Sequence, residues 1–554
     1  MSAAVIGELM QESLKNNKVD IVPVLKDISS VDLVPGKEFP VVPMAKKELS
    51  EIASNPLIEF KNNSSGGSKR PLKVGILFSG GPASGGHNVA VGLFDALKEI
   101  DPKSEVVGFM NGPDGLLKGD AKVLTKEDID SVRNQGGFYL LGTSRTKFEK
   151  ESDMAKCSET IKKLGLDGLL IAGGDDSNTN AAHLANHLKK DGSKAVVVGI
   201  PKTIDGDLAY VPYLQTSFGF YTAARTYAEM VGNICRDLPS SRKIWHFVKL
   251  MGRSASWITL ETAFQTRPNI ALIGEEIQAN NMKLSQVIDH ICMVIAKRHL
   301  AGKKYGIVLI PEGIVEFIPE IKKLIHDINK AIVKLGNENF MSMHIIERRE
   351  KMLVELDQEN ERVFISLPRE FQNGLLSGLD PHGNVQVSQI VSDMLIMELC
   401  REKLSKDGVE VDGKNIKIKL TTQNHFYGYD GRCGYPTWFD ATYTYNLGRA
   451  AAALVAHGKT GYMVSLNSVE KNVDKWNALA IPIAGMMNCE HRKGRDCLVI
   501  SKYLVSLESK AYKEFAKNRG KWELEDAYLC PGPVQYWGPD ELVKAKAETM
   551  SLNA

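Results

Sequence analysis

Two apolar runs set the frame of the chain. Asp167–Ala172 and Lys194–Ile200 are continuous hydrophobic stretches of strand length, each running out into Gly, Asp, Thr or Lys. Continuous rather than alternating apolarity predicts strands buried on both faces, the habit of parallel sheets. The segment between them has a helix-like pattern. The same rhythm of apolar run and polar tip recurs along the chain. KVGILFSG (Lys73–Gly80) predicts a strand, GGPASGGHN (Gly80–Asn88) a Gly-rich turn, and a helical pattern follows through Leu97. Ser104–Gly112 predicts a strand and Ser217–Asn233 a helix. Ile244–Ser256 predicts a strand, a turn at Gly252-Arg253 and a new helix capped by Ser254. Asn269–Glu276 predicts a strand, Ser285–Leu300 a helix, and Tyr305–Gly313 a strand ending on Glu312. Residues 315–410 look mainly helical, with helical spacing over Ile318–Leu335 and Asn384–Lys403 and a turn at Leu376–Asn384. A strand over Lys414–Thr422 leads to an aromatic, Gly-rich loop, Asn424–Tyr443, and a helix follows from about Ala441 to His457.

This alternation predicts an α/β fold: two Rossmann-like three-layer domains with the active-site cleft between them, a helical insertion and an N-terminal extension. The extension covers residues 1–70, with an amphipathic helix near Ile6–Leu14 and a linker at Asn62–Arg70. A first α/β domain spans 71–240, with part of 440–554 packed on it. A second domain spans 241–440 and holds the helical insertion at about 315–410. In an open α/β sheet, ligands bind beyond the carboxyl ends of the strands. The loops GGDD (Gly173–Asp176) and TIDGD (Thr203–Asp207) therefore face one cleft and gather Asp175, Asp176, Asp205 and Asp207. Like charges that close call for a counter-ion, and Mg²⁺ with phosphates completing its shell fits hard oxygen ligands.

Composition narrows the field. The 554 residues are 43% hydrophobic and 25% charged, with 69 basic and 67 acidic side chains and a formal net charge of +2. That balance gives no reason to expect nucleic acid or a membrane surface as partner. The eight cysteines are scattered without CxxC or zinc-type spacing and read as reduced thiols of a cytoplasmic protein. The N-terminus lacks the basic and apolar regions of a signal peptide, and no run of roughly 18 apolar residues exists to span a bilayer. HRKGRD (His491–Asp496) and PGPVQYWGP (Pro531–Pro539) mark the tail.

The strand, Gly-rich loop and helix start at Gly80–Gly86 form an anion site, where backbone N–H groups favour phosphate. The loop is neither a Walker A nor a GxGxxG sequence. Arg145 follows Gly142-Thr143-Ser144 and can fork onto phosphate oxygens. Arg253, Glu312, Tyr429 and Arg432 stand at further polar tips. Phosphoryl transfer needs a positioned donor, a metal on the phosphates, cations on the developing charge and a base on the attacking hydroxyl. Each role has a candidate. No GxSxG elbow supports a hydrolytic triad.

The ordered motifs SGGPASGGHN, LGTSR, GGDDS, PKTIDGD, MGRSAS, PEG and GYDGR, from Lys73 to Arg432, resemble the phosphofructokinases in their long, pyrophosphate-dependent form. DPHGNVQVSQI and the Pro/Gly-rich tail resemble that form too. The resemblance implies Mg-dependent, reversible phosphoryl transfer from pyrophosphate to the 1-hydroxyl of fructose 6-phosphate. By position it makes Asp205 the base, with Lys202 and Arg253 at the phosphate in transit, Asp176 as the catalytic-site residue that selects the donor, and Asp175 the metal ligand. Gly80, Gly81, Arg145, Thr203, Ile204 and Asp207 would serve the donor and the metal. Met251, Gly252, Glu312, Tyr429, Asp430, Gly431 and Arg432 would hold the sugar phosphate. Lys243 and Ile244 occupy the place where a neighbouring subunit lends a cation. The family suggests a homodimer or a dimer of dimers. ATP-using relatives have glycine where Asp176 stands, so its carboxylate would fill space and repel a nucleotide's α-phosphate. An ATP-dependent phosphofructokinase and a non-catalytic regulatory subunit of the same fold are the alternative readings.

Overall fold

The computed structural model describes residues 11–63, 70–148, 150–379, 392–492, 495–534, 544 and 546–554. Several expectations fall partly outside them: the helix near Ile6–Leu14 before residue 11, the linker at 64–69, the turn and helix start across 380–391, the basic stretch at 493–494, and the tail from 535. Residues 11–16 are helical.

The described strands, in chain order, are β1 (Val31–Pro35), β2 (Ile58–Asn62), β3 (Lys73–Phe78), β4 (Glu105–Phe109), β5 (Ala121–Val123), β6 (Gly168–Gly173), β7 (Val196–Thr203), β8 (Phe218–Gly219) and β9 (Trp245–Leu250). They continue as β10 (Ile270–Ala271), β11 (Gly306–Pro311), β12 (Val409–Val411), β13 (Lys414–Ile416), β14 (Thr422–Tyr427), β15 (Tyr462–Asn467), β16 (Asn477–Pro482), β17 (Met487–Arg492) and β18 (Arg495–Ile500).

The first sheet has ten strands in the order β1-β2-β16-β15-β7-β6-β3-β4-β5, with β8 beside β7. Its centre, β15-β7-β6-β3-β4, is parallel, and antiparallel strands close both edges. The predicted parallel pair is present: Leu170 of β6 lies opposite Ile76 of β3 and Val198 of β7. Successive residues of β3 feed two cores, Ile76 and Phe78 on one face and Leu77 on the other, as the two-residue period of a strand requires.

The second sheet is all parallel, in the order β10-β11-β9-β14. Trp245, Phe247, Val308 and Ile310 pack on a helical region that includes Pro319–Leu335 and Ser392–Lys406. Val248, Leu250, Ile307 and Leu309 face the other way, into the core shared with helix Phe220–Ser241 and the first sheet. One continuous core thus joins the two sheets.

Helix Trp438–Ala456 leaves the second sheet and packs on helix Gly86–Ile100 of the first. The contact depends on two glycines. A Cβ at Gly92 would lie 2.0 Å from the Tyr445 carbonyl oxygen, and one at Gly448 would lie 2.2 Å from that of Val89. Asp440, on the first turn of Trp438–Ala456, accepts from the backbone N–H groups of Gly219 and Thr222, each at 2.9 Å. It thereby satisfies two donors at the start of helix Phe220–Ser241.

Three expected elements differ. The strand over Asn269–Glu276 shrinks to β10, and a helix starts at Gly274. Its Glu275 accepts from Ser256 N and Val505 N, a cross-link that an extended chain would not aim inward. Lys414–Thr422 is not the sheet strand. Lys414–Ile416 pairs back on β12 around Asp412-Gly413, where both φ values are positive, the geometry of a tight Asp-Gly hairpin. The sheet strand is β14, six residues that include most of the expected loop start. The helix after β9 begins at Trp257 with Ser256 at the cap position, and Ser254 instead accepts a hydrogen bond from Lys502.

Candidate active site

In the first sheet the chain runs outward from β3 to β4, then returns to β6 on the other side of β3. The loops after β3 and β6 therefore diverge, and a crevice opens between them at the carboxyl end of the sheet. Ser79 and Ser177 bridge its floor, with Ser177 Oγ donating to Ser79 Oγ at 2.8 Å. Gly80 follows with φ +82° and donates its N–H to the Ser144 carbonyl at 2.9 Å. Thr143 Oγ1 donates to the Gly80 carbonyl at 2.8 Å, so the LGTSR motif props the Gly-rich turn. Arg145 stands just beyond, exposed.

The helix after β6 begins at Asp175, with Asp176 next. Both carboxylates sit on its first turn, where the helix dipole favours negative charge. Asp176 is ion-paired to Lys147 at 3.3 Å. The tip of β7 carries Lys202, Thr203, Ile204, Asp205 and Asp207. Thr203 Oγ1 accepts from Asp205 N at 3.1 Å and fixes the turn. Lys202 is 6% exposed, and a Cβ at Gly80 would lie 3.1 Å from its Nζ. Burial, then the Arg432 charge, pulls its pKa down to about 8, against Asp205 and Asp175, which hold it up.

Asp175, Asp205 and Asp207 all have raised pKa values. Burial is the main cause for each, with Lys502 opposing it. Asp205 also feels Glu312 and Arg253, which come from the second sheet. That sheet presents its own carboxyl ends to the same cleft. Met251, Gly252 and Arg253 follow β9, Glu312 follows β11, and Tyr429, Asp430, Gly431 and Arg432 follow β14. Glu312 Oε2 accepts from Gly252 N at 3.3 Å, and burial raises its pKa. Gly252 has φ +126°, and a Cβ at Gly313 would fall 1.8 Å from the Arg253 carbonyl oxygen. Both glycines let the two loops cross closely.

The Arg432 guanidinium lies over the Gly-rich turn after β3. A Cβ at Gly81 would sit 1.6 Å from its Nη2, and its Nε donates to the Pro82 carbonyl at 3.4 Å. Tyr429 is exposed and stacks its ring 5.1 Å from that guanidinium. Tyr227, inside helix Phe220–Ser241, donates to the Gly428 carbonyl and holds the loop from behind.

The structure therefore brings the sequence-expected residues to one cleft, with one pair apart. Ile244 and Lys243 precede β9, at its amino end. Six strand residues, roughly 20 Å, separate them from Met251. Lys243 is exposed there.

Two basic residues were not legible. Lys147 lies three residues into a loop. Lys502 comes from the segment after β18, with its Nζ 3.3 Å from Asp207 Oδ2 and 3.9 Å from Asp175 Oδ2. Burial disfavours its charge, but Asp207, Asp175 and Asp205 outweigh that and raise its pKa. Among the described residues no three His, Cys, Asp or Glu side chains cluster as a cage for an ion. Asp175 and Asp207, both in reach of one ammonium, offer hard oxygens to a cation. That set fits Mg²⁺, which binds through one or two carboxylates and keeps water or phosphate for its other positions. No helix among the described residues is long and apolar enough to cross a membrane.

Comparison with known proteins agrees with this geometry. Residues 73–455 match the family model described as phosphofructokinase. The chain is 42% identical over 530 residues to the pyrophosphate–fructose 6-phosphate 1-phosphotransferase of Porphyromonas gingivalis, covering 94% of this chain and 95% of that protein. It is 42% identical over 507 residues to the protein of the same name from Treponema pallidum, covering 90% and 88%. In fold it is similar to the crystal structure of a pyrophosphate-dependent phosphofructokinase from Marinobacter aquaeolei. The TM-score there is 0.51 at 14% identity, over 82% of this chain and 93% of that one. A family match over most of the chain, relatives this similar over nearly their whole length, and a cleft lined by both sheets lead to one conclusion: the chain belongs to the phosphofructokinase family.

Proposed function

We infer that the protein transfers a phosphoryl group reversibly from pyrophosphate to the 1-hydroxyl of fructose 6-phosphate, giving fructose 1,6-bisphosphate and phosphate. The observation that carries this reading is the setting of Asp205. It is a half-buried carboxylate at the tip of β7, flanked by Lys202 and Lys502 on the donor side and by Arg253 and Glu312 on the sugar side. A hydroxyl delivered there meets a base, and a phosphoryl group delivered beside it meets cations. The names of the relatives give the same reaction.

Asp205 takes the proton from the attacking hydroxyl. Burial raises its proton affinity, which strengthens it as a base. Lys202 neutralises charge as it builds on the phosphate that leaves. The backbone of Gly80 and Gly81 and the side chain of Arg145 hold the donor. Thr203 and Ile204 keep the β7 tip in shape. Asp175 and Asp207 would hold Mg²⁺, which when bound supplies positive charge to the phosphate oxygens. On the sugar side, Glu312 is placed to accept from hydroxyls, with Met251 and Gly252 beside it. Tyr429 and Arg432 hold the 6-phosphate, and Asp430 and Gly431 shape their turn. Arg253 stands near the group in transit.

Donor choice follows from Asp176. Paired to Lys147, its charge is partly compensated, so its bulk does more of the excluding than its sign. A longer nucleotide meets that carboxylate, and pyrophosphate does not. From the family resemblance we also read a homodimer or a dimer of dimers, with Lys243 and Ile244 serving a neighbouring subunit, and a cytoplasmic setting. Sedimentation and cell fractionation test these.

The decisive assay is the initial rate with fructose 6-phosphate and Mg²⁺, comparing pyrophosphate with ATP. Turnover with pyrophosphate and none with ATP is expected. Turnover with ATP alone overturns the donor assignment, and turnover with neither overturns the catalytic reading.

A further inference from the structure

Lys502 reaches the cleft from a segment that carries no motif. Its Nζ donates to Asp207 Oδ2 at 3.3 Å and to Ser254 Oγ, and stands 3.9 Å from Asp175 Oδ2. Asp175 and Asp207 follow strands of the first sheet, and Ser254 follows β9 of the second. One ammonium thus ties both halves of the cleft. The backbone beside it is fixed. Tyr503 N donates to the Asp207 carbonyl at 2.7 Å, and Trp257 Nε1 donates to the Tyr503 carbonyl at 2.8 Å. The Tyr503 and Trp257 rings stack at 5.1 Å, and Val505 N donates to Glu275 Oε1 at 3.0 Å. A chain pinned at Tyr503 and Val505 delivers its lysine to a set position.

Asp175 and Asp207 are the carboxylates assigned above to a divalent cation. An ammonium and a dication cannot share two carboxylates at such distances without strong mutual repulsion. We propose that Lys502 is the resident cation of this pair, and that a divalent ion binds by displacing its Nζ. Lys502 is then a positioning residue. It holds Asp175 and Asp207 together when no ion is present, and it keeps a bare ion from binding tightly. Pyrophosphate offers the freed ammonium new anionic oxygens, which water does not. Ion and donor therefore bind cooperatively, each removing part of the other's cost.

This inference rests on Asp175 and Asp207 being the metal ligands, so the test separates the two ideas. Mn²⁺ binding to the whole, substrate-free protein is measured by titration calorimetry for the wild type, Lys502→Met, Lys502→Arg and Asp175→Asn. Lys502→Met should bind Mn²⁺ roughly tenfold tighter or more, because one repelling charge has gone. Lys502→Arg should stay near the wild type. Pyrophosphate should tighten Mn²⁺ binding more in the wild type than in Lys502→Met. Equal Mn²⁺ affinity in the wild type and Lys502→Met, with Asp175→Asn weaker, overturns the displacement and spares the metal site. Mn²⁺ binding indifferent to Asp175→Asn overturns both. A wild-type measurement covers the case of a variant that does not fold. In the wild type, acetylation of Lys502, followed by mass spectrometry, should rise severalfold when saturating Mn²⁺ alone displaces the ammonium and fall again when pyrophosphate engages it; acetylation that Mn²⁺ alone leaves unchanged or lowers overturns the displacement.

Discussion

Lys202 gives the cleft a pH dependence that can be worked out. Its side chain is 6% exposed, and burial, with Arg432 and Arg145 nearby, lowers its pKa from 10.5 to about 8. The ammonium is the working form, so activity should fall as pH rises through that value. kcat/KM for pyrophosphate reports the free enzyme and is the quantity to follow. Between pH 7 and pH 9 the protonated fraction drops from about nine-tenths to about one-tenth, so kcat/KM should fall about tenfold. The stability effect has the opposite sense. Between pH 8 and 10.5 the unfolded chain holds more protons than the folded one, so this group makes the fold more stable as pH rises. At pH 7 the charged, buried Lys202 costs about 3 kcal/mol. Quenched-flow or discontinuous phosphate assays avoid the pH limits of coupling enzymes. Lys202→Arg should lose the descending limb, because arginine stays protonated throughout. Lys202→Met should lose roughly 10²- to 10³-fold in kcat and resist urea better than the wild type at pH 7. A limb at pH 8 that survives unchanged in Lys202→Arg would refute the assignment.

Three further outcomes are expected. Asp205→Ser should lower kcat by roughly 10²- to 10⁴-fold while the KM for fructose 6-phosphate changes little; near-normal turnover contradicts its role as base. Gly81→Ala puts a methyl group 1.6 Å from the present position of Arg432 Nη2. The guanidinium tip is flexible enough to move, so the KM for fructose 6-phosphate should rise about tenfold with unfolding unaffected; an unchanged KM shows that Arg432 does not hold the 6-phosphate. Arg298 is buried and donates to Asp526 at 2.8 Å and to the carbonyls of Tyr305 and Leu524 at 3.1 and 3.0 Å. Arg298→Met should cost about 3–5 kcal/mol in urea unfolding, with cleft residues untouched; a midpoint shift below about 1 kcal/mol means the segment near Asp526 holds without it.

Much of the cleft was legible because parallel strands announce themselves. The runs before Asp175 and Asp205 are apolar throughout, and buried strands of an α/β sheet point their carboxyl ends at the ligand. Gly80, Asp176, Arg253 and Glu312 are found the same way, each within three residues of the end of an apolar run. Where the pattern failed, a tertiary contact had replaced a local one. Asn269–Glu276 is apolar enough for a strand, yet Glu275 turns inward to reach Ser256 and Val505. The Asp412-Gly413 turn was visible in the sequence as a hairpin signal and would have corrected the strand expected at Lys414.

The sequence by itself determined the α/β rhythm, the acidic and Gly-rich tips and their order along the chain, since each depends on residues close in sequence. The tertiary structure decided that β1, β2, β15 and β16 complete the first sheet, that Arg432 folds over Gly81, and that Lys502 sits on Asp175 and Asp207. These are pairings between positions hundreds of residues apart. No local period encodes them, because what selects them is the burial of sheet edges and the neutralisation of carboxylates once the chain is already compact.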